Sequence, residues 1–385
     1  MRYHSYLNSA KKIIGSYNGE MPLSFFLKKY FSAEKKYGSK DRKQISALCY
    51  NYYRLGKAMP DVPLEEKIIT ATFLCENGFN DFLNFHKPRW NELITKPLTE
   101  KIYIAGLEVE DIFPKAAELS EGIGLHSFCS SFLLQPDLFI RIRPGKKNGV
   151  IEKLEGAGIP VTMQGEDCAA FPNSTKLDTV LDLDKDAVVQ DHNSQKVLNF
   201  LKDPAISNPL SAWDCCAASG GKSILLYDMV RGEIELTVSD IRESILSNLK
   251  KRFLVAGIKK YKSFIADLSA ESPPLQDKKY SLIICDAPCT GSGTWSRTPE
   301  QLYYFKPPMT DAYAEKQKKI ISNTVPQLQE GGLFFYITCS VFKKENEEQV
   351  NYIKEKFHLQ LLQLEFLKGF DKKADNMFVA VFMKK

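Results

Sequence analysis

From residue 212 to its last residue the chain alternates strand-like and helix-like patterns so regularly that few architectures can hold it. SAWDCCA, IELTVSD, SFIAD, YSLIICD and GGLFFYITCS are short runs dense in apolar residues, as buried strands are. Between them, residues 222–230, 243–256, 311–328 and 344–357 carry apolar side chains at the three- and four-residue spacing of helices. The alternation predicts an α/β fold with a parallel, doubly wound sheet, because parallel neighbours require crossovers and the crossover helices cover both faces. Ligands of such sheets gather at the carboxyl ends of the strands. The final stretch, NMFVAVFMKK, reads as a closing strand.

Residues 5 to about 105 follow a helical period instead, as in LSFFLKKYF and KQISALCYNYYRL, and predict a helical bundle. Gly38 and Ser39 read as a turn, with Ser39 the expected N-cap of a helix that displays Arg42, Lys43 and Arg54 on a basic face. Residues 1–60 hold twelve Lys and Arg against three Asp and Glu, whereas the whole chain carries a formal charge of only +5. Segregated positive charge suits phosphate contacts, where released counterions supply sequence-independent affinity for nucleic acid. A solvated basic face is the competing reading.

In the middle, PDLFIRIRPGKKNGVIEKLEGAGIPVTM reads as strand, turn, helix, turn, strand. AVVQDHNSQKVLNFL follows as a strand and a helix capped near Asp191 or Asn193, and SNPLSA at 207–212 has the composition of a boundary. The expected division is residues 1–129 helical, 130–205 a small α/β module and 206–385 the large sheet domain.

MRYHSYLNSAKKII lacks the apolar core of a secretion signal, and no run of about 18 apolar residues suits a membrane span. The expected location is therefore the cytoplasm, with no membrane partner. Nine cysteines are scattered without C-x-x-C spacing, which argues against a zinc site and a disulfide scaffold. No metal is expected, and most of these thiols, Cys215 and Cys285 among them, are expected in the core. His126 and His192 have no carboxylate or second histidine at a useful spacing and are not read as catalytic.

Three features carry chemistry. WDCCAASGGKS at 213–223 is a strand end followed by small residues that open a helix, a turn that brings backbone N–H groups to a ligand. Its GGKS ending invites a P-loop reading, but Walker A requires glycine where Cys216 stands. Asp240, Asp267 and Asp286 close successive strands, so three carboxylates face one crevice, where one suits a ribose and another an adenine amine. DAPCTGSGTWSRTPE at 286–300 and YITCSVFKKENEEQV at 336–350 each set a cysteine, Cys289 and Cys339, just past a strand end at the rim of that crevice.

These motifs resemble the Nop/Sun family of RNA cytosine carbon-5 methyltransferases, which includes bacterial small-subunit ribosomal RNA enzymes. The likeness covers about residues 130–385, with CAASGGK, DAPCTGSG and TCSVFKKENE in the family's order, and GSKDRKQISALCYNYYRL looks like the NusB-like RNA-binding domain of part of that family. It implies a class I, Rossmann-like S-adenosylmethionine methyltransferase domain with an N-terminal helical domain and a small α/β RNA-binding module. By the same likeness, S-adenosyl-L-methionine is the cofactor, held by Cys216, Ala217, Ala218, Ser219, Gly220, Gly221, Lys222, Asp240, Asp267 and Asp286. Cys339 matches the nucleophile that adds to carbon 6 of cytosine, and Cys289 the second cysteine that helps to end the reaction.

An uncharged pyrimidine carbon is not nucleophilic until an adduct pushes electrons into it, which explains the need for a thiolate. Asp286 is a candidate for favouring protonation at the base's N3, and Lys222 for ordering the crevice. The implied partner is RNA, ribosomal RNA first and transfer RNA as the alternative, bound by a monomer. The chain departs from the family in three places: Ser219 replaces a proline of the cofactor turn, WSRTP replaces a basic pair before proline, and Arg141-Ile142-Arg143 replaces Arg-x-Asn.

Trp295, Tyr303, Tyr304 and Phe305, near Arg297, suit either stacking on a splayed base or ordinary packing. Two rivals remain. A DNA cytosine methyltransferase would make Cys289 the nucleophile, and a catalytically silent ribosome-assembly factor would keep the fold without the chemistry. The TCS…ENE motif and the basic helical region favour RNA over DNA, and the presence of both cysteines and three aspartates favours an enzyme.

Overall fold

A computed structural model describes residues 2–113, 118–203 and 211–385. The chain divides into two compact units, one of Met1–Ala117, Ile123–Gln135 and Thr294–Lys306, the other of Glu118–Gly122, Pro136–Gly293 and Pro307–Lys385. The boundary expected at 207–212 lies, up to residue 210, outside the described residues.

The first unit is helical, with helices numbered along the chain: α1 (Arg2–Ser16), α2 (Leu23–Ala33), α3 (Ser39–Arg54), α4 (Leu64–Cys75), α5 (Asp81–His86), α6 (Pro88–Glu92), α7 (Leu98–Ala105), α8 (Leu125–Ser131) and, far downstream, α12 (Pro299–Tyr304). Two expectations about α3 change. Its N-cap is Gly38, whose N–H donates to the Asp41 carboxylate at 3.0 Å, so Ser39 is the first helical residue. The basic face keeps Arg42 and Lys43, which are exposed, but loses Arg54, which is only 2% exposed. The Arg54 guanidinium donates to the carbonyls of Phe132 (2.7 Å) and Leu134 (3.0 Å) and to Gln135 Oε1 (2.6 Å), so it ties α3 to the end of α8.

The aromatic residues after the second cysteine motif also serve this unit. Trp295 is buried between Phe113 and Phe305, and Tyr303 and Tyr304 pack on Tyr53. Ordinary packing thus accounts for them, because their segment returns to complete the helical core. His126 does meet a carboxylate, Glu110 at 2.8 Å, a pairing invisible in sequence because the residues lie 16 apart.

The second unit contains two sheets. The smaller has the order β2-β3-β1-β4, from β1 (Leu138–Ile142), β2 (Thr162–Met163), β3 (Cys168–Phe171) and β4 (Ala187–Val189), with α9 (Lys147–Gly156) beside it. The larger follows from β5 (Ser211–Asp214), α10 (Gly221–Met229), β6 (Glu235–Asp240), α11 (Glu243–Ala256), β7 (Tyr261–Ile265), β8 (Tyr280–Asp286), α13 (Pro308–Thr324), β9 (Leu328–Thr338), α14 (Glu347–Phe357), β10 (Gln360–Leu367) and β11 (Met377–Met383). Its order is β10-β11-β9-β8-β5-β6-β7, with β5 to β9 parallel as expected.

The last strand does not close an edge. β11 lies antiparallel between β9 and β10, which explains why nearly all of MFVAVFM is buried. Nor does an α-helix follow β4: the segment turns and ends in the 3-10 stretch Asn199–Lys202. The expected capping side chains are taken by tertiary bonds, since Asn193 donates to the carbonyls of Leu367 (3.0 Å) and Asp375 (2.9 Å), and Asp191 accepts from the Asp375 N–H (3.0 Å).

The positive strand Arg141-Ile142-Arg143 is partly offset by one carboxylate. Side chains two apart share a strand face, and both guanidiniums reach Asp228 of α10 at 2.7 Å, all three side chains largely buried. These pairs fasten the small sheet to the helix that follows the glycine-rich turn.

Removing a buried donor leaves its acceptors unpaired, so Arg54→Ala is expected to cost about 3 kcal/mol. Urea denaturation followed by circular dichroism measures this, and a midpoint equal to that of the parent would contradict the role given to Arg54.

Candidate active site

The strand order runs outward from β5 in both directions, to β6 and β7 on one side and to β8 and β9 on the other. The loops after β5 and β8 therefore diverge and leave a crevice at the carboxyl edge. This crevice has a volume of about 410 Å3, and Cys216, Ala218, Asp240, Asp267, Asp286, Cys289 and Cys339 all line it. The strand-end residues singled out from sequence converge there.

The glycine-rich turn is bent by two left-handed residues, Ala218 (φ +45°) and Gly220 (φ +83°). A Cβ on Gly220 would stand 2.7 Å from the Phe253 ring, so α11 leaves room only for glycine. The turn presents the Ala218 N–H to Asp240 Oδ2 at 3.1 Å. Ala217, Ser219, Gly220, Gly221 and Lys222 shape the turn and its helix start and are not among the residues lining the crevice. Ser219, where a proline would have fixed the torsion, is held instead by Arg252, which donates to its carbonyl (2.8 Å) and hydroxyl (2.9 Å) while pairing with Asp184.

The three strand-end aspartates differ in their surroundings. Asp240 is buried and accepts from the Arg242 N–H at 2.9 Å and from its guanidinium at 3.1 Å. Asp267 accepts from the Ser269 hydroxyl and N–H, which hold its carboxyl below the usual range. Asp286 accepts from Lys222 Nζ at 2.6 Å. Burial works against the Lys222 ammonium, but the charge and hydrogen bond of Asp286 outweigh it and raise its pKa.

At the other end of the crevice, Cys289 Sγ and Cys339 Sγ stand 3.4 Å apart. A hydrogen bond to Cys339, together with burial, pushes the Cys289 thiol well above its ordinary pKa. The two sulfurs lie within hydrogen-bond reach of each other, and Cys339 also lies in the field of Lys222. Cys215 and Cys285 are buried as expected.

Sequence reading missed four residues of this region. Ile241 follows Asp240 and stays 48% exposed, although it lines the crevice. Tyr313 and Lys316 reach the crevice from α13, and nothing in the helix's apolar period distinguishes them. Glu345, within the second cysteine motif, is fully buried behind the cysteines. An exposed apolar side chain beside carboxylates at a switch point fits an adenosyl group, with the acids for hydroxyl and amine donors and Ile241 for a purine face. Among the described residues no group of three or more His, Cys, Asp or Glu could hold a metal ion, and no helix is long and apolar enough to cross a membrane.

Residues 205–381 match the family model described as 16S rRNA methyltransferase RsmB/F. This segment resembles an RsmB/F methyltransferase domain. The resemblance to the Nop/Sun family read from the motifs is thereby borne out. The chain is 25% identical over 227 residues to the probable ribosomal RNA small subunit methyltransferase B of Bacillus subtilis, covering 58% of this chain and 50% of that protein. It is 27% identical over 230 residues to ribosomal RNA small subunit methyltransferase B of Salmonella arizonae, covering 56% and 51%. The chain thus spans about half the length of the relatives it matches.

Solved structures agree on the fold. PH0851 superposes with a TM-score of 0.70 at 18% identity, over 100% of this chain and 98% of that one. NSun6 from Pyrococcus horikoshii, solved with SFG, gives 0.58 at 14% identity over 68% and 94%. A methyltransferase homolog protein from Pyrococcus horikoshii gives 0.56 at 16% identity over 74% and 95%. The large sheet domain has the class I, Rossmann-like fold of S-adenosylmethionine-dependent methyltransferases.

Beneath the glycine-rich turn lies a pH-sensitive carboxyl. Asp214 is 1% exposed, accepts from Ser223 Oγ at 2.6 Å, and burial raises its pKa to about 7. Unfolded, it titrates near 4, so between about pH 4 and 7 the folded state binds the extra proton and this group's contribution to stability falls as pH rises. Asp214→Asn should therefore gain stability over the parent progressively from pH 4 to 7 and level off above. Chemical denaturation of both proteins at four pH values measures the difference, and a flat difference would refute the assignment.

Proposed function

We propose that the chain methylates carbon 5 of a cytosine in RNA, with small-subunit ribosomal RNA as substrate and S-adenosyl-L-methionine as methyl donor. The observation that carries this reading is the pair of sulfurs, 3.4 Å apart, in the same crevice as Asp286, to which Lys222 is paired, and as Cys216 and Ala218 of the glycine-rich turn. Two adjacent free thiols suit a reaction that must form an adduct and then release it.

In this reading Cys339 is the nucleophile. Its thiolate adds to carbon 6 of the cytosine, and the electron pair displaced from the 5,6 double bond makes carbon 5 nucleophilic. Asp286, which accepts from Lys222, can sit near the base and favour protonation at N3, which draws electrons from carbon 6. The turn 216–222 with Asp240 and Asp267 would hold S-adenosylmethionine, whose sulfonium would supply the methyl group to carbon 5 and depart as S-adenosylhomocysteine. Once the Cys339 sulfur is bonded to carbon, the hydrogen bond between the sulfurs, the largest of the effects that raise the Cys289 pKa, is lost. Cys289 can then take part in removing the carbon-5 proton, after which Cys339 leaves as thiolate and the double bond returns.

The wider assignment follows the same reading. Residues 1–129 act as a NusB-like RNA-binding domain, 130–205 as a small α/β module and 206–385 as the catalytic domain of a cytoplasmic monomer. Exposed Arg42 and Lys43 serve phosphate contacts.

The purified chain is to be incubated with unmodified small-subunit ribosomal RNA and methyl-labelled S-adenosylmethionine, and the RNA digested to nucleosides. Label is expected in 5-methylcytosine. Label appearing only with transfer RNA would move the substrate, and no label with either RNA would favour a silent assembly factor. Cys339→Ala should abolish both turnover and adduct, whereas Cys289→Ala should accumulate the covalent RNA complex on a denaturing gel. Reversed phenotypes would make Cys289 the nucleophile, as in the DNA-enzyme alternative.

Reversing the charges of Arg42 and Lys43 should weaken RNA binding and lower the slope of log affinity against log salt by about 1 to 2. A titration at several salt concentrations measures it, and an unchanged slope would leave this face merely solvated.

A further inference from the structure

We propose that Glu345 is the positioning residue of the cysteine pair, a single carboxylate that joins the Cys289 loop to the Cys339 loop and sets how closely the two sulfurs meet. The catalytic consequence rests on the covalent reading above. The geometric claim does not.

Glu345 lies in the 3-10 turn Lys343–Glu345, five residues past Ser340, and its side chain is fully buried. Its Oε1 accepts from the backbone N–H of Thr290, the residue after Cys289, at 2.8 Å. Its Oε2 accepts from Thr290 Oγ1 at 2.6 Å and from the hydroxyl of Ser340, the residue after Cys339. Each sulfur is thus one residue away from a group gripped by the same carboxylate.

A third arm comes from α13. Gln317 Nε2 donates to the Pro288 carbonyl at 3.0 Å and lies 3.4 Å from Glu345 Oε1, which holds the chain on the other side of Cys289. Bonds outside the carboxylate complete the cage. The Gly293 N–H donates to the Cys339 carbonyl at 2.8 Å, and the Val341 N–H to Ser292 Oγ at 2.9 Å. A Cβ on Gly293 would stand 2.8 Å from that carbonyl and 2.5 Å from the Asn376 carbonyl, so the close approach of the loops admits only glycine.

The carboxylate also acts on the proton. Its charge adds to the effects of Cys339 and of burial that keep Cys289 a thiol, while Lys222 stands toward Cys339. A negative group thus stands behind Cys289 and a positive group beside Cys339. Burial raises the pKa of Glu345 itself, and hydrogen bonds from Ser340, Thr290 and Gln317 oppose the rise.

The acceptor-only chemistry of a carboxylate gives a discriminating series. In Glu345→Gln the amide oxygen still faces the Thr290 N–H and the two hydroxyls can rotate to accept, so the clamp survives without its charge. In Glu345→Ala both are lost. The readout is the rate at which diamide, reduced to its hydrazine, oxidises Cys289 and Cys339 of the full chain to a disulfide, followed by intact-mass spectrometry with Cys289→Ser as control. Glu345→Ala should slow closure about tenfold or more, as expected when reacting atoms lose their alignment. Glu345→Gln should stay within about threefold of the parent.

On RNA, Glu345→Ala should lower kcat by a similar factor with the KM for S-adenosylmethionine within about twofold, since the clamp touches the cysteines and not the cofactor turn. Should Glu345→Ala fail to fold, Thr290→Val and Ser340→Ala, each removing one hydroxyl, should each slow closure. Closure at the parental rate in folded Glu345→Ala, or in both substitutes, overturns the proposal. A Glu345-dependent closure rate in a protein that labels no RNA supports the positioning role and sinks only the cytosine reading.

Discussion

Everything in the site depends on one constraint, the reversal of strand order beside β5. Parallel strands need crossovers, and crossovers that leave in opposite directions cannot share the space above the sheet edge. The loop carrying Cys216 to Gly220 therefore parts from the loop carrying Cys289, and a crevice opens between them without any side chain having to be kept away. The loop carrying Cys339 borders it because β9 lies next to β8. The acids at the ends of β6 and β8, and Asp267 just after β7, meet there for the same reason.

The crevice edge is polar and is made rigid from behind. The Lys222–Asp286 pair joins the glycine-rich turn's helix to the end of β8, and Arg252 holds Ser219 in the turn. On the cysteine side, Thr290, Ser292, Ser340 and Glu345 form a buried cluster in which hydroxyls and a carboxylate satisfy one another. Such networks are stiff when every member is paired, because an unpaired buried donor or acceptor is costly. Loops built this way hold two sulfurs at a fixed distance without a covalent link between them.

Much of this was legible in the chain itself. The strand runs appear where the alternation placed them, and α11 spans Glu243–Ala256 as expected. Both cysteines and all three aspartates line the crevice because strand ends in a parallel sheet share one side. The errors have a common origin. Ser39, Asp191 and Asn193 have capping chemistry, yet Asp41 serves Gly38 instead, and Asp191 and Asn193 bond the distant Leu367–Asp375 region. Arg54 and the Arg141–Arg143 pair look like surface charge, yet each is buried against a partner between 78 and 87 residues away.

The sequence by itself determined the local and periodic features: which segments are strands, which are helices, and which residues stand at strand ends. Those follow from side-chain spacing and backbone preference, which are read within a few residues. The tertiary structure alone decided what those residues do once in place. It inserted β11 inside the sheet rather than at its edge, gave Trp295 and Tyr303 to the helical core, and turned Glu345 into the link between two loops 50 residues apart. Burial and hydrogen-bond partnership are properties of pairs far apart in the chain, and no local pattern encodes which distant group will satisfy a buried charge.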